Sequence, residues 1–187
     1  MTDAFPLVRI DYAGLARRAG EFGFRRANYA DLEAGMALAE KLTGQAMATA
    51  ASVHWIDGLT GMAGWVAGDP VDGVFITVGL SAAGVEAVRD SSFVPAWPSL
   101  EHLACEGEDC AGVYIGVYAG ATKEARRQVM MAAGVTRVEF FAPVPVFARG
   151  ATEDGKRSMA SLGFSPIEGG LADLWGQAPL AVQEQAA

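Results

Sequence analysis

The side chains able to move a proton or hold an anion in these 187 residues fall into a few short stretches. Histidine titrates nearest neutral pH, and the chain has two, His54 and His102. His54 lies between Val53 and Trp55 in a run that reads as strand, which makes it a packed or surface residue. His102 follows Glu101, near Trp97 and just ahead of the acidic Cys105-Glu-Gly-Glu-Asp-Cys110 loop, and is the better candidate for a general base. Glu139, between Val138 and Phe140, reads in two ways. It is a carboxylate whose proton affinity burial would raise, or a residue on the polar face of an alternating strand. Tyr114 and Tyr118 stand in the apolar run Ala111-Gly-Val-Tyr-Ile-Gly-Val-Tyr118, as packing residues or as proton donors, with Tyr118 placed beside the anion-binding stretch described next.

That stretch is Val117-Tyr-Ala-Gly-Ala-Thr-Lys-Glu-Ala-Arg-Arg-Gln-Val129, a strand entering a helix through small residues. A helix start offers unpaired N–H groups and the positive end of its dipole, and both favour a phosphate. Tyr118, Ala119, Gly120, Ala121 and Thr122 form the candidate cradle, and Lys123, Arg126 and Arg127 add charge. The competing reading is a tight strand–helix turn with a solvated basic face. Cys105 and Cys110 lack the second Cys/His pair that a tetrahedral metal site needs, so no metal is expected and the loop reads as a reduced acidic turn.

The elements that must position these residues alternate between strand and helix signals. Phe22–Ala27 reads as a short strand, and Asn28 then caps a helix with Asp31 three residues on, close to a capping box. Tyr12-Ala-Gly-Leu-Ala-Arg-Arg-Ala adds a helix ahead of it. Ser52–Ile56 and Gly61–Ala67 read as a hairpin around Asp57-Gly58. Val74–Val78 is a further strand, and Ser81 caps a helix through Arg89. Near the C-terminus, Arg137–Ala142 reads as a buried strand, followed by a Pro-rich bend. Thr152 caps a helix with Glu153 and Asp154 in its first turn, and Gly163 and Phe164 end it. The expected strands are near 22–27, 52–56, 61–67, 74–79, 112–118, 137–142 and 171–175, with helices near 29–42, 122–133 and 152–162.

The C-terminal strand–helix unit ending in Gly163-Phe164 resembles the last unit of GNAT-type N-acyltransferases. Phe22–Leu42 resembles their first strand and helix, in the right order. The resemblance implies an α+β fold with a mixed, mostly antiparallel central sheet flanked by helices on both faces. It also implies a cleft where the 112–118 and 137–142 strands part. The function it implies is transfer of an acyl group, from acetyl-CoA or a longer acyl-CoA, to a small-molecule or protein amine. The Ala119–Thr122 turn would take the pyrophosphate, and backbone N–H groups of the central strand would polarise the thioester. Two features depart from the family: the Arg/Gln-x-x-Gly-x-Gly/Ala loop is absent, and Met159 occupies the place of the usual acid Tyr. The long stretch between Gly73 and Ala111 is similar in pattern to the autoinducer-synthase and N-acyl-amino-acid-synthase branch, which implies an acyl-carrier protein as an alternative donor. Arg126, Arg127, Arg149, Lys156 and Arg157 would then supply its docking patch. A catalytically silent domain of the same fold, binding a small molecule or a protein, is the alternative reading.

Composition sets outer limits. With 51% hydrophobic residues the chain can bury a full core. The expected organisation is an N-terminal extension over 1–21, one domain over 22–176 and a flexible tail over 177–187. A net charge of −8 argues against a nucleic-acid partner. No apolar run reaches the roughly 18–20 residues of a membrane span. The start Met1-Thr-Asp-Ala-Phe-Pro has no signal-peptide pattern, so a cytoplasmic location is expected.

Overall fold

The computed structural model describes residues 7–45, 48–150 and 152–180. Helices α1 (Tyr12–Gly20), α2 (Tyr29–Thr43), α3 (Ala50–Thr60), α4 (Ala82–Arg89), α5 (Lys123–Phe140) and α6 (Glu153–Ser161) surround a seven-stranded sheet. Its strands, in spatial order, are β2 (Phe24–Arg26), β3 (Gly64–Ala67), β4 (Gly73–Leu80), β6 (Gly112–Gly120), β7 (Val146–Arg149), β9 (Leu174–Gln177) and β8 (Ser165–Pro166). Every neighbouring pair is antiparallel except β6–β7. A two-stranded ribbon, β1 (Val8–Arg9) with β5 (Asp109–Cys110), ties the residues before α1 to the Cys loop. The fold is therefore α+β with a mostly antiparallel sheet.

Local chemistry fixes most helix ends. Asn28 and Asp31 form a complete capping box on α2, and Gly44 ends that helix in the left-handed region. Ser81 Oγ accepts from Gly84 N ahead of α4, and Thr152 Oγ1 from Gly155 N ahead of α6. Gly163 closes the α6 segment at φ 84°, and Phe164 turns back toward the core.

The two faces of the sheet carry separate cores. Leu32, Met36, Val53 and Ile56 of α2 and α3, with Val85 and Val88 of α4, pack on Val66, Val74, Ile76, Tyr114 and Phe147. On the other face Leu15 of α1 and Val129 and Ala132 of α5 meet Phe24, Trp65, Phe75, Val113 and Val146. Gly35 lets α2 lie close to β4, since a Cβ there would stand 3.0 Å from the Val74 side chain. In contrast, α6 buries no residue fully.

Two expected strands are helical. Residues 52–56 belong to α3, capped by Thr49 and ended by Gly61 at φ 70°. The buried positions Val53, Ile56, Asp57 and Thr60 follow helical spacing, which the alternation over Ser52–Ile56 disguised. Asp57 is no turn residue. Its Oδ1 accepts from Ala63 N at 2.9 Å and Gly64 N at 3.1 Å, and its Oδ2 pairs with Arg26. Residues 137–140 likewise continue α5, which buries Ala125, Val129, Ala132, Ala133 and Thr136 along one face. The strand beside β6 is instead Val146–Arg149, after the turn at Pro143 and Pro145. The strand expected at 171–175 runs Leu174–Gln177, and Leu180 N donates to Ala142 O at 2.8 Å. Residues 181–187 of the expected tail, and residues 1–6 of the expected extension, lie outside the described residues. Tyr12–Gly20 forms α1, which packs on α5.

Candidate functional site

Strand β6 is the middle strand of the sheet and meets its two neighbours differently. Toward β4 the pairing runs its whole length, from Leu80↔Gly112 to Gly73↔Gly120. Toward β7 it covers Val113↔Val146, Tyr114↔Phe147 and Ile115↔Ala148, and β6 then continues five residues beyond. At that point the β4 register jumps from Thr77↔Ile115 to Ile76↔Val117, leaving Gly116 as the extra residue of a bulge. Gly116 is exposed although it lies in the central strand.

The bulge changes which way the following side chains point. Tyr114 and Tyr118 are four apart and would share a face of a regular strand. Instead Tyr114 packs with Phe93 on the α2–α4 face, and Tyr118 packs against Phe75 on the α5 face. Burial pushes the Tyr114 phenol up to about 12, eased by the nearby Arg149, and burial pushes Tyr118 up as well. Both phenols hold their protons at neutral pH.

The turn from β6 into α5 brings Tyr118, Ala119, Gly120, Ala121, Thr122, Lys123, Arg126 and Arg127 into one continuous stretch. Thr122 caps α5, its Oγ1 accepting from Ala125 N at 3.0 Å. The Ala121 N–H is already spent on Asp72 O at 2.7 Å. Gly120 has a structural reason to be glycine, because a Cβ would stand 2.4 Å from Arg126 N and 2.6 Å from the Ala125 carbonyl carbon. Lys123, Arg126 and Arg127 are exposed around the helix start, Arg127 standing 3.8 Å from Glu124.

The remaining candidates lie elsewhere. Glu139 is on α5 rather than on a strand, and it is exposed. Arg18 of α1 grips it through Nε at 3.0 Å and Nη2 at 2.8 Å, and those bonds hold its carboxyl below the usual range. A carboxylate so held is a poor base. His102 sits in a 3₁₀ turn, Leu100–His102, with its ring beside Phe93 and its Nε2 3.8 Å from Glu101 Oε1. Its Nδ1 is buried and has no hydrogen-bond partner among the described residues. Glu139 and Tyr118 belong to the α5 side of the sheet and His102 packs against the α4 side, so the three do not form one constellation. Burial raises the Cys110 thiol to about 11, and Cys105 is shifted up as well, chiefly by burial and then by Glu108. Among the described residues no three His, Cys, Asp or Glu side chains are grouped to hold a metal.

The sequence reading missed Arg137. It is half-buried on α5, donating Nε to Gln177 Oε1 at 2.7 Å, Nη2 to Ala178 O at 3.0 Å, and Nη1 to Phe141 O. Burial lowers its guanidinium to about 10. Gln177 Nε2 in turn donates to Leu162 O, so the C-terminal end of the α6 segment is tied to α5 through one amide. Extending the helical spacing of Val129, Ala132 and Thr136 by one residue would have placed Arg137 at the edge of the core. Among the described residues no helix is long and apolar enough to cross a membrane. No protein-family model matches the chain, and no curated protein sequence matches it.

Proposed function

We propose that the chain is a divergent GNAT-type N-acyltransferase, moving an acyl group from acyl-CoA, or from an acyl-carrier thioester, to an amine. The observation that carries this reading is the solvent-open bulge at Gly116, beside the one parallel junction of an otherwise antiparallel sheet. The mostly antiparallel sheet with helices on both faces is of the general kind the sequence resemblance implies. In this reading β6 backbone N–H groups polarise the thioester carbonyl while the amine attacks it. A C–N bond forms, the C–S bond breaks, and the amine proton balances the departing thiolate. The exposed Lys123, Arg126 and Arg127 would receive the donor's phosphates at the start of α5.

A second reading, a catalytically silent domain of the same kind, is favoured by one specific observation. Glu139, His102 and Tyr118 do not converge, and Met159 carries no transferable proton. Calorimetric titration with acetyl-CoA and longer acyl-CoAs, followed by thiol release in the presence of amine acceptors, separates the two. Binding with amine-dependent thiol release supports the enzyme, whereas binding without turnover supports the silent domain. Absence of binding at millimolar ligand ends the acyl-CoA reading. Reversing two charges with Arg126→Glu and Arg127→Glu should weaken binding about tenfold, and added salt should act in the same direction.

A further inference from the structure

A small void of about 20 Å³ lies between α5 and the sheet, away from the exposed start of α5. Leu15, Trp65, Phe75, Val113 and Val146 supply much of its wall, and Arg137, Tyr118, Thr77 and Thr136 its polar part. The threonine protons are committed, Thr77 to Met62 O and Thr136 to Ala132 O and Ala133 O. The Tyr118 hydroxyl makes no hydrogen bond among the described residues. Arg137 has five N–H donors, of which three bonds engage one each, all to neutral acceptors. Two guanidinium N–H groups of Arg137 and the Tyr118 O–H are thus unengaged by described residues, both side chains line the void, and no described carboxylate pairs with Arg137.

We propose that this void is a binding site for one small monatomic anion, of which chloride is the physiological example, held by the Arg137 guanidinium and the Tyr118 hydroxyl. A water needs roughly 10–15 Å³, so the space suits a single occupant of that size or slightly larger and rejects sulfate or phosphate. Charge favours the anion over water. The threonine and tyrosine oxygens on the wall could take a water's protons, but a water would leave the guanidinium without a counter-charge. The guanidinium is itself weakly hydrated, which suits a weakly hydrated anion in such surroundings. The half-buried cation also gains the counter-charge that its neighbours lack.

The test uses the full chain at constant ionic strength, with gluconate, too large for the void, exchanged stepwise for chloride or bromide. Chloride and bromide should raise the thermal unfolding midpoint saturably. At ten times the dissociation constant the unfolding equilibrium should shift about elevenfold. A crystal grown in bromide should show an anomalous peak between Arg137 and Tyr118. Tyr118→Phe, which removes one oxygen, should weaken the halide effect about tenfold, and Arg137→Met should abolish it. If Arg137→Met does not fold, Tyr118→Phe carries the comparison. A midpoint indifferent to the choice of anion, or a water without bromide signal in the void, would overturn the proposal.

Discussion

Replacing Gly120 by alanine tests whether the β6–α5 turn is built by packing or kept small for a ligand. The added methyl would stand 2.4 Å from Arg126 N and 2.6 Å from the Ala125 carbonyl carbon, and both are backbone atoms of the first turn of α5. A side chain would swing away, but a helix start can only shift as a unit, disturbing the Thr122 cap and the Ala121–Asp72 hydrogen bond. Overpacking of this kind costs about 1–3 kcal/mol. For a domain of this size each kcal/mol lowers the melting temperature by about 2–4 °C, so a fall of about 2–12 °C is expected. Gly134, on the same helix, is the control. A Cβ there meets nothing within 4 Å, so Gly134→Ala should stabilise by about 0.5–1 kcal/mol through helix propensity. Thermal melts followed by circular dichroism, without ligand, read both variants. An unchanged melting temperature in Gly120→Ala would refute the packing argument and return this glycine to a purely ligand-facing role.

Asp57→Ala removes the acceptor of two backbone N–H groups and the partner of Arg26 in a largely buried setting, and should cost about 3 kcal/mol in denaturant titrations. Tyr114 gives a pH prediction. Its folded value of about 12 lies above the ordinary 10, so the unfolded chain releases the proton first. Stability is then full below about pH 10 and declines toward pH 12, and Tyr114→Phe should flatten that decline in melts taken along the alkaline range.

What the sequence disclosed, and what it hid, divides by the distance over which each feature is decided. The caps at Asn28, Ser81 and Thr152 and the stop at Gly163 are agreements between residues three or four apart, so they were readable. The apolar runs of β4 and β6 were readable for the same reason. Residues 52–56 misled because five residues of alternation fit either period. Asp57-Gly58 imitated a hairpin turn, while the true break was Gly61. Residues 137–140 misled because Val138 and Phe140 alternate with charges, although the helix face had been set many residues earlier. At the candidate site the contiguous stretch from Tyr118 to Arg127 was legible as a unit. The environments of Glu139 and His102 were not, since Arg18, 121 residues away, decides the first, and the packing of Phe93 shapes the second.

Gly116 has a consequence for how the protein can change over time. One inserted residue resets the phase of β6, so the segment before it and the segment after it obey opposite rules about which positions face which helices. Straightening the strand at full length, with Gly116 paired, would swing Val117 and Ala119 toward α5 and Tyr118 toward α2 and α3, whereas deleting Gly116 would leave all three on their present faces. Each segment still presents residues to both helix layers, Val113 and Tyr118 to the α5 side and Tyr114 and Val117 to the opposite side. Loss of the extra residue is therefore neutral to both faces, whereas pairing it would exchange them. The centre of the sheet is permissive to a loss at this one point and intolerant of a shift in phase.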